Sequence, residues 1–146
     1  MLMVPTYVGP SRIEGVGVFA ARPIRTGETV WILDERFDLL IPQGDLGGLS
    51  TLHRDFLERY GYPHMTCPGI LVLEFDNGRF MNHSENPNTD FRRPDMAWAT
   101  RAIDEGEEIT CNYADFDPSF VLQDGRQFAA FPMEDLAMPP VLNLPG

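Results

Sequence analysis

Arg79-Phe80-Met81-Asn82-His83-Ser84-Glu85-Asn86-Pro87-Asn88, with Gly106-Glu107-Glu108-Ile109-Thr110-Cys111-Asn112-Tyr113 a short way downstream, is the pair of stretches that decides how this chain is read. Asn carries donors and an acceptor, and His can donate or accept, so Asn82-His83 on a tight loop can hold a polar ligand. The same residues suit an Asn/Ser turn that bonds its own backbone, with Pro87-Asn88 completing a second turn. The two readings are compatible. In the second stretch Glu108 to Cys111 reads as a short strand leaving the Asp104-Glu105-Gly106 turn, and it delivers Tyr113 at its end. A buried tyrosine is more often a core residue with a satisfied hydroxyl than a reactive one, so position alone gives Tyr113 no task.

Working outward, Val16, Val18 and Phe19 read as a strand leaving a glycine turn at Gly15-Val16-Gly17. Thr29-Val30-Trp31-Ile32-Leu33 is a β-branched and aromatic strand after Gly27-Glu28. Gly44 to Gly48 is a loop. Leu49, Leu52, Phe56, Leu57 and Tyr60 fall at helical spacing, with Ser50 or Thr51 as N-cap and Gly61 as C-cap before Pro63. Ile70 to Phe75 is a strand closed by an Asp76-Asn77-Gly78 turn, since Asn-Gly is a strong turn signal. Met96 to Arg101 is a further short strand. Short strands, one helix and 13 each of Gly and Pro give a mainly β fold of small, mostly antiparallel sheets. Pro132 to Gly146 reads as irregular.

A chain of 146 residues fits one domain that can bury a core without staples. At 43% hydrophobic residues it is not a disordered chain. No apolar run approaches the roughly 20 residues that span a bilayer, and the N-terminal residues lack a signal-peptide pattern. The expected location is intracellular and soluble, cytoplasmic if the source is bacterial. Twenty-two Asp and Glu against 11 Arg give a net charge of −11, and there is no Lys. An acidic surface repels nucleic acid phosphates and attracts Lys/Arg-rich peptides, although it also serves solubility. Cys67 and Cys111 form no Cys-x-x-Cys and, with the His residues, no zinc-ligand spacing, so no metal is expected. Two free thiols suit a reducing compartment. His53 and His64 read as isolated surface residues.

Together the two stretches closely resemble the paired signature motifs of the SET-domain protein lysine methyltransferases, and the Gly15-Val16-Gly17 turn adds a third element. The likeness covers about residues 10 to 118, and the whole of 1–146 is expected to be a single SET domain, with 119–146 as lid and tail. It resembles the minimal bacterial or viral members that lack cysteine-rich zinc regions on either side. The resemblance implies S-adenosylmethionine as cofactor, held by backbone around Gly15, Val16 and Gly17, by Asn82 and His83, and by Arg79 and Phe80 lining its pocket. It also implies a C-terminal motif threaded beneath a loop, a knot-like exception to unthreaded chains.

By the same resemblance Tyr113 touches the cofactor and is the catalytic tyrosine, its hydroxyl sitting where the methyl sulfonium meets the incoming amine. The reaction is a one-step, in-line displacement at the methyl carbon. A free lysine has a pKa of about 10.4, so neutralising it near pH 7.4 costs about 4 kcal/mol. A sulfonium about 4 Å away in a partly shielded channel raises the ammonium by about the same amount. On this reading no dedicated general base is needed, and Tyr113 orients the amine.

Two departures from the family pattern stand out. Cys111 occupies a position where many relatives carry Phe or Tyr, which tunes how many methyl groups fit. Tyr60 and Tyr62 are candidates for an aromatic wall of the substrate channel. No cysteine-rich lid follows the second motif, which leaves Phe116, Phe120, Phe128 and Phe131 as candidates to close the adenine pocket. The expected partner is a lysine-bearing, basic protein or peptide, without direct nucleic acid binding and without a membrane. Two other readings stay open: a SET-like module that binds a basic partner with little turnover, and a methyltransferase for a non-lysine or small-molecule acceptor.

Overall fold

The computed structural model describes residues 1–120 of the chain. Within them lie, in order, β1 (Thr6–Pro10), β2 (Val16–Ala20), β3 (Thr29–Ile32), β4 (Leu39–Pro42), α1 (Thr51–Tyr60), β5 (Gly61–Pro63), β6 (Ile70–Leu73), β7 (Asn82–His83), β8 (Thr89–Asp90), β9 (Met96–Ala99) and β10 (Glu108–Cys111). The strands form three small sheets, ordered β1-β2-β10-β7, β3-β9-β8 and β4-β6-β5. Every pairing among them is antiparallel except β7 with β10. The mainly β architecture with one α-helix is the one the sequence implies.

Strand alternation builds the core. Val18 and Ala20 of β2, and Ala97 and Ala99 of β9, are fully buried, whereas Phe19 and Met96 on the opposite phase are not. Ile24 and Ile103 form an isolated bridge in the same core, with Val30 and Ile109 packed alongside. A second, smaller core of Leu46, Leu57 and Leu71 joins α1 to the β4-β6-β5 sheet. Among the described residues, no helix is long and apolar enough to cross a membrane.

Three local features add detail to the expectations. Helix α1 forms with Ser50 as N-cap, its side chain accepting from the His53 N–H. Of its apolar residues only Leu57 is buried, while Leu52 and Phe56 are exposed, because α1 rests on its sheet along a single row. Phe56 instead packs on Tyr60, which meets Phe80 edge-on. Gly61 ends the helix without a left-handed residue: its φ is −88° and the chain runs straight into β5. A Cβ there would lie 2.7 Å from the Leu57 carbonyl and 2.8 Å from Leu71 Cδ2, so close approach is what demands glycine. A turn forms at Asp76-Asn77-Gly78 as expected, but it does not join paired strands. The Asp76 side chain accepts from Gly78 N–H and starts a 3₁₀ turn over Asn77–Phe80, and β6 pairs with β4 and β5 instead.

Candidate active site

The parallel pairing of β7 with β10 sets the two motifs side by side, Thr110 opposite Asn82 and Cys111 opposite His83. On its other flank β10 pairs with β2, which brings the Gly15-Val16-Gly17 turn to the same place. The Asn82 amide then joins all three: its Nδ2 donates to the carbonyls of Glu14 (3.2 Å) and Val16 (3.0 Å) and to Glu108 Oε1 (2.8 Å). Ser11 Oγ donates to the same carboxylate. Gly17 makes room for it, since a Cβ there would stand 2.1 Å from Glu108 Oε1. Gly15 takes a φ of +48°, in the left-handed region glycine favours. Asn88 is buried rather than a mere turn residue. Its Oδ1 accepts from Thr110 N–H and its Nδ2 donates to the Glu108 carbonyl, stapling the first motif to β10.

Tyr113 follows β10 and is held at two points. Its hydroxyl donates to the Met81 carbonyl at 2.7 Å, and its backbone N–H donates to His83 Nδ1 at 3.2 Å. An accepting Nδ1 leaves the proton of a neutral imidazole on Nε2, which is buried and has no hydrogen-bond partner among the described residues. Burial holds the His83 ring below its ordinary pKa, against the raising effect of Glu85. The Tyr113 phenol is pushed up, first by burial and then by Cys111 and Glu14, with Arg59 opposing. The Tyr113 ring packs against His83, Phe116 and Phe120.

An open cavity lies beside these groups. Val16, Arg79, Phe80 and Asn82 line it, as do Cys111, Tyr113, Tyr60 and Tyr62, and the aromatics Phe116 and Phe120. The structure thus brings together most of the residues singled out from sequence. Gly15, Gly17 and the His83 side chain stand behind this wall rather than on it, and Phe128 and Phe131 lie outside the described residues. His64, read as an isolated surface residue, borders the cavity and accepts from the Thr66 and Cys67 N–H groups. Cys111 is buried, and its thiol is pushed well up by that burial and by Glu74.

Glu14, Trp31, Glu74 and Phe91 are among the lining residues that sequence reasoning missed. Glu74 is the most unusual. It is 6% exposed, accepts from the Tyr62 hydroxyl at 3.0 Å through Oε1, and leaves Oε2 buried without a partner. Burial pushes its carboxyl up to about 7; the Met1 ammonium works against this, while Asp76 and Asp38 add to it. An acidic residue ending the apolar run Ile70–Leu73 was the available signal.

This fold is that of a SET domain. The SET-domain family model matches residues 15–114, and the chain belongs to that family. Solved structures agree on the fold. A Plasmodium falciparum protein provisionally named a histone methyltransferase is 21% identical, over 77% of this chain and 95% of its own, with a TM-score of 0.55. The Chaetomium thermophilum Polycomb Repressive Complex 2 bound to the inhibitor GSK126 is 24% identical over 80% of this chain, with a TM-score of 0.58. The same complex in an autoinhibited conformation, bound to S-adenosylmethionine, is 23% identical over 77% of this chain, with a TM-score of 0.57. This chain spans only 16% and 15% of those two Polycomb chains. No curated protein matches the chain.

Proposed function

We propose that this SET domain transfers a methyl group from S-adenosylmethionine to the ε-amine of a lysine in a basic protein or peptide. The observation that carries the reading is Tyr113, its hydroxyl anchored to the Met81 carbonyl on the wall of an aromatic cavity, just beyond the strand that pairs with Asn82-His83. S-adenosylmethionine, when bound, supplies a methyl group activated on a sulfonium. The donor set suits such a group. His83 Nε2 is a buried ring nitrogen with no partner among the described residues, set beside the lining rings of Tyr113 and Phe120, and Phe80, Phe116 and Phe120 offer faces for an adenine ring. Backbone around Gly15, Val16 and Gly17, held by Asn82, takes the amino-acid end.

Tyr113 fixes the direction of the acceptor amine. Because its hydroxyl proton is committed to Met81, the lone pairs of its oxygen are what remain for the amine N–H groups. Cys111, Tyr60 and Tyr62 line the acceptor channel, whose width at Cys111 leaves space for methylated amines. The net charge of −11 favours a cationic substrate over nucleic acid.

Calorimetric titration with S-adenosylmethionine tests the cofactor, and labelled cofactor in cell lysate, read by mass spectrometry, tests the acceptor. The parent should bind. Asn82→Ala should bind at least tenfold more weakly, about 1.4 kcal/mol, through loss of the turn it holds. A folded parent that binds no cofactor would overturn the reading.

A further inference from the structure

Glu74 is the buried polar group to which the proposed function assigns no task. Its carboxylate lies on the wall of the cavity that also holds Cys111 and Tyr113. The space for Oε2 is made by Gly78, where a Cβ would sit 1.8 Å from that oxygen. A buried carboxylate is stable when a cation or several donors meet it, and one left short of partners is costly. Among the described residues, the cations nearby are spent elsewhere. The Met1 ammonium bonds the Ile32 carbonyl and Asp38, and the Arg79 guanidinium bonds the carbonyls of Phe75 and Asp76. Arg59 pairs with Glu14, and Arg93 with Asp95. A second buried polar atom without a partner, the indole Nε1 of Trp31, belongs to the same cavity lining. The cavity wall therefore holds, beneath its surface, a carboxylate oxygen that has no partner among the described residues.

We propose that Glu74, steadied by the Tyr62 hydroxyl, is the proton acceptor for the incoming amine. The inference rests on the proposed function, because the cation that fits is the substrate ammonium. The ammonium N–H donates to Glu74 Oε2; that N–H bond breaks, an O–H bond forms, and the electron pair left on nitrogen is free for the methyl carbon. Attack forms the N–C bond as the S–C bond breaks, giving a methylated ammonium and a neutral thioether, and the carboxylic acid later returns its proton to water. The groups that face Glu74 set its readiness. Tyr62 of β5 donates to it, the Met1 ammonium favours the charged form, and Asp38 and Asp76 oppose it. Cys111 and Tyr113 feel the same carboxylate. A carboxyl lifted toward neutrality holds a proton far better than an ordinary one and still releases it near physiological pH. The sulfonium eases removal of the amine proton, and Glu74 gives that proton a place to go.

The test uses the full chain, its Glu74→Gln variant and two measurements. With ¹³C-carboxyl labelling, the Glu74 resonance is found by its loss in Glu74→Gln and titrated with pH. Its midpoint should fall by a unit or more on adding S-adenosylmethionine and stay within a few tenths on adding S-adenosylhomocysteine, which lacks the positive sulfur. The second measurement is single-turnover methyl transfer to a pool of basic peptides, each holding one lysine, from pH 6 to 10. Glu74→Gln should be at least tenfold slower at pH 7 and approach the parent near pH 10, where free amine is supplied by solvent. Cofactor bound with an unmoved carboxyl midpoint overturns the inference, as does a variant whose pH profile follows the parent's. If no peptide is methylated, the carboxyl titration decides. If calorimetry finds no cofactor binding by the folded parent, the proposed function fails first, and that outcome is distinct from the others.

Discussion

The cavity has two polar sides that are built differently. Where β2, β7 and β10 meet, Asn82 Nδ2 serves three acceptors and Glu108 takes donors from both Asn82 and Ser11. Asn88 bridges to β10 through its oxygen and its nitrogen. Where β5, β6 and the 3₁₀ turn meet, Glu74 has one donor and one orphaned oxygen, and Trp31 Nε1 has no acceptor. Satisfied buried networks rigidify a fold, whereas an unsatisfied buried group lowers stability and needs another reason to persist. The contrast separates the scaffold that aligns Tyr113 from the groups poised to meet a ligand.

Breaking the scaffold side should have the largest effect. In Gly17→Ala the new methyl would lie 2.1 Å from Glu108 Oε1, and moving the carboxylate gives up its bonds to Asn82 and Ser11. A loss of about 3 kcal/mol in urea unfolding is expected. Gly9→Ala, whose nearest neighbour would be Phe19 at 3.5 Å, is the control and should cost under about 1 kcal/mol. Equal losses at the two glycines would mean that the Glu108 network carries no special weight.

The ligand side should show itself in pH dependence. The Glu74 carboxyl sits near 7 when folded, against about 4.5 for an ordinary glutamate. Below about pH 4.5 it is neutral in both states. As pH rises toward 7 the unfolded chain ionises while the folded one keeps its proton, so stability falls, and above 7 the loss levels off. The parent should lose about 3 kcal/mol relative to Glu74→Gln between pH 4 and pH 8. Parallel stability curves for the two proteins would show a carboxylate better compensated than its contacts indicate.

Tyr113 stands between the sides, fixed by the scaffold and facing the cavity. Tyr113→Phe keeps the ring contacts to His83, Phe116 and Phe120 and removes the bond to Met81. kcat should drop about 10²-fold, near 2.7 kcal/mol, with S-adenosylmethionine affinity changed only a few-fold. Unchanged turnover would take Tyr113 out of the chemistry and leave it a scaffold residue.

The two sides were also unequally legible in the sequence. Asn82, His83, Cys111 and Tyr113 announce themselves as motif letters, and period-two alternation exposes β2 and β10. Strands β1, β4 and β5 were not read, since Gly9-Pro10, Pro42 and Gly61-Tyr62-Pro63 look like breaks; each forms on a sheet edge, where proline's missing donor does no harm. Asn77-Gly78 marked the turn but not its type, because Asp76 captures Gly78 locally, a competition a dipeptide rule does not weigh. Glu74 was passed over for a different reason, since an acid ending an apolar run is a weak local signal. Its burial depends on β4, β5 and the chain start closing around β6, which is long-range packing that no local pattern records.

The smallest effect should come from Tyr62→Phe, and it is the sharpest probe of how Glu74 is held. The substitution removes one hydroxyl and keeps a ring that packs on Phe116 at 5.0 Å. That hydroxyl lowers the Glu74 pKa, so its loss moves the carboxyl higher still, extending the pH range over which the folded state keeps its proton. A hydrogen bond to a charged acceptor contributes more than one to a neutral acceptor. The cost of Tyr62→Phe should therefore be about 1 kcal/mol at pH 8.5, where Glu74 is ionised, and a few tenths at pH 5.5, where it is neutral. Chemical unfolding at the two pH values measures the difference directly, and the Glu74→Gln background should abolish it. A cost that is the same at both pH values would mean that Tyr62 packs beside Glu74 without stabilising its charge, and the carboxylate would then depend on the distant Met1 ammonium alone.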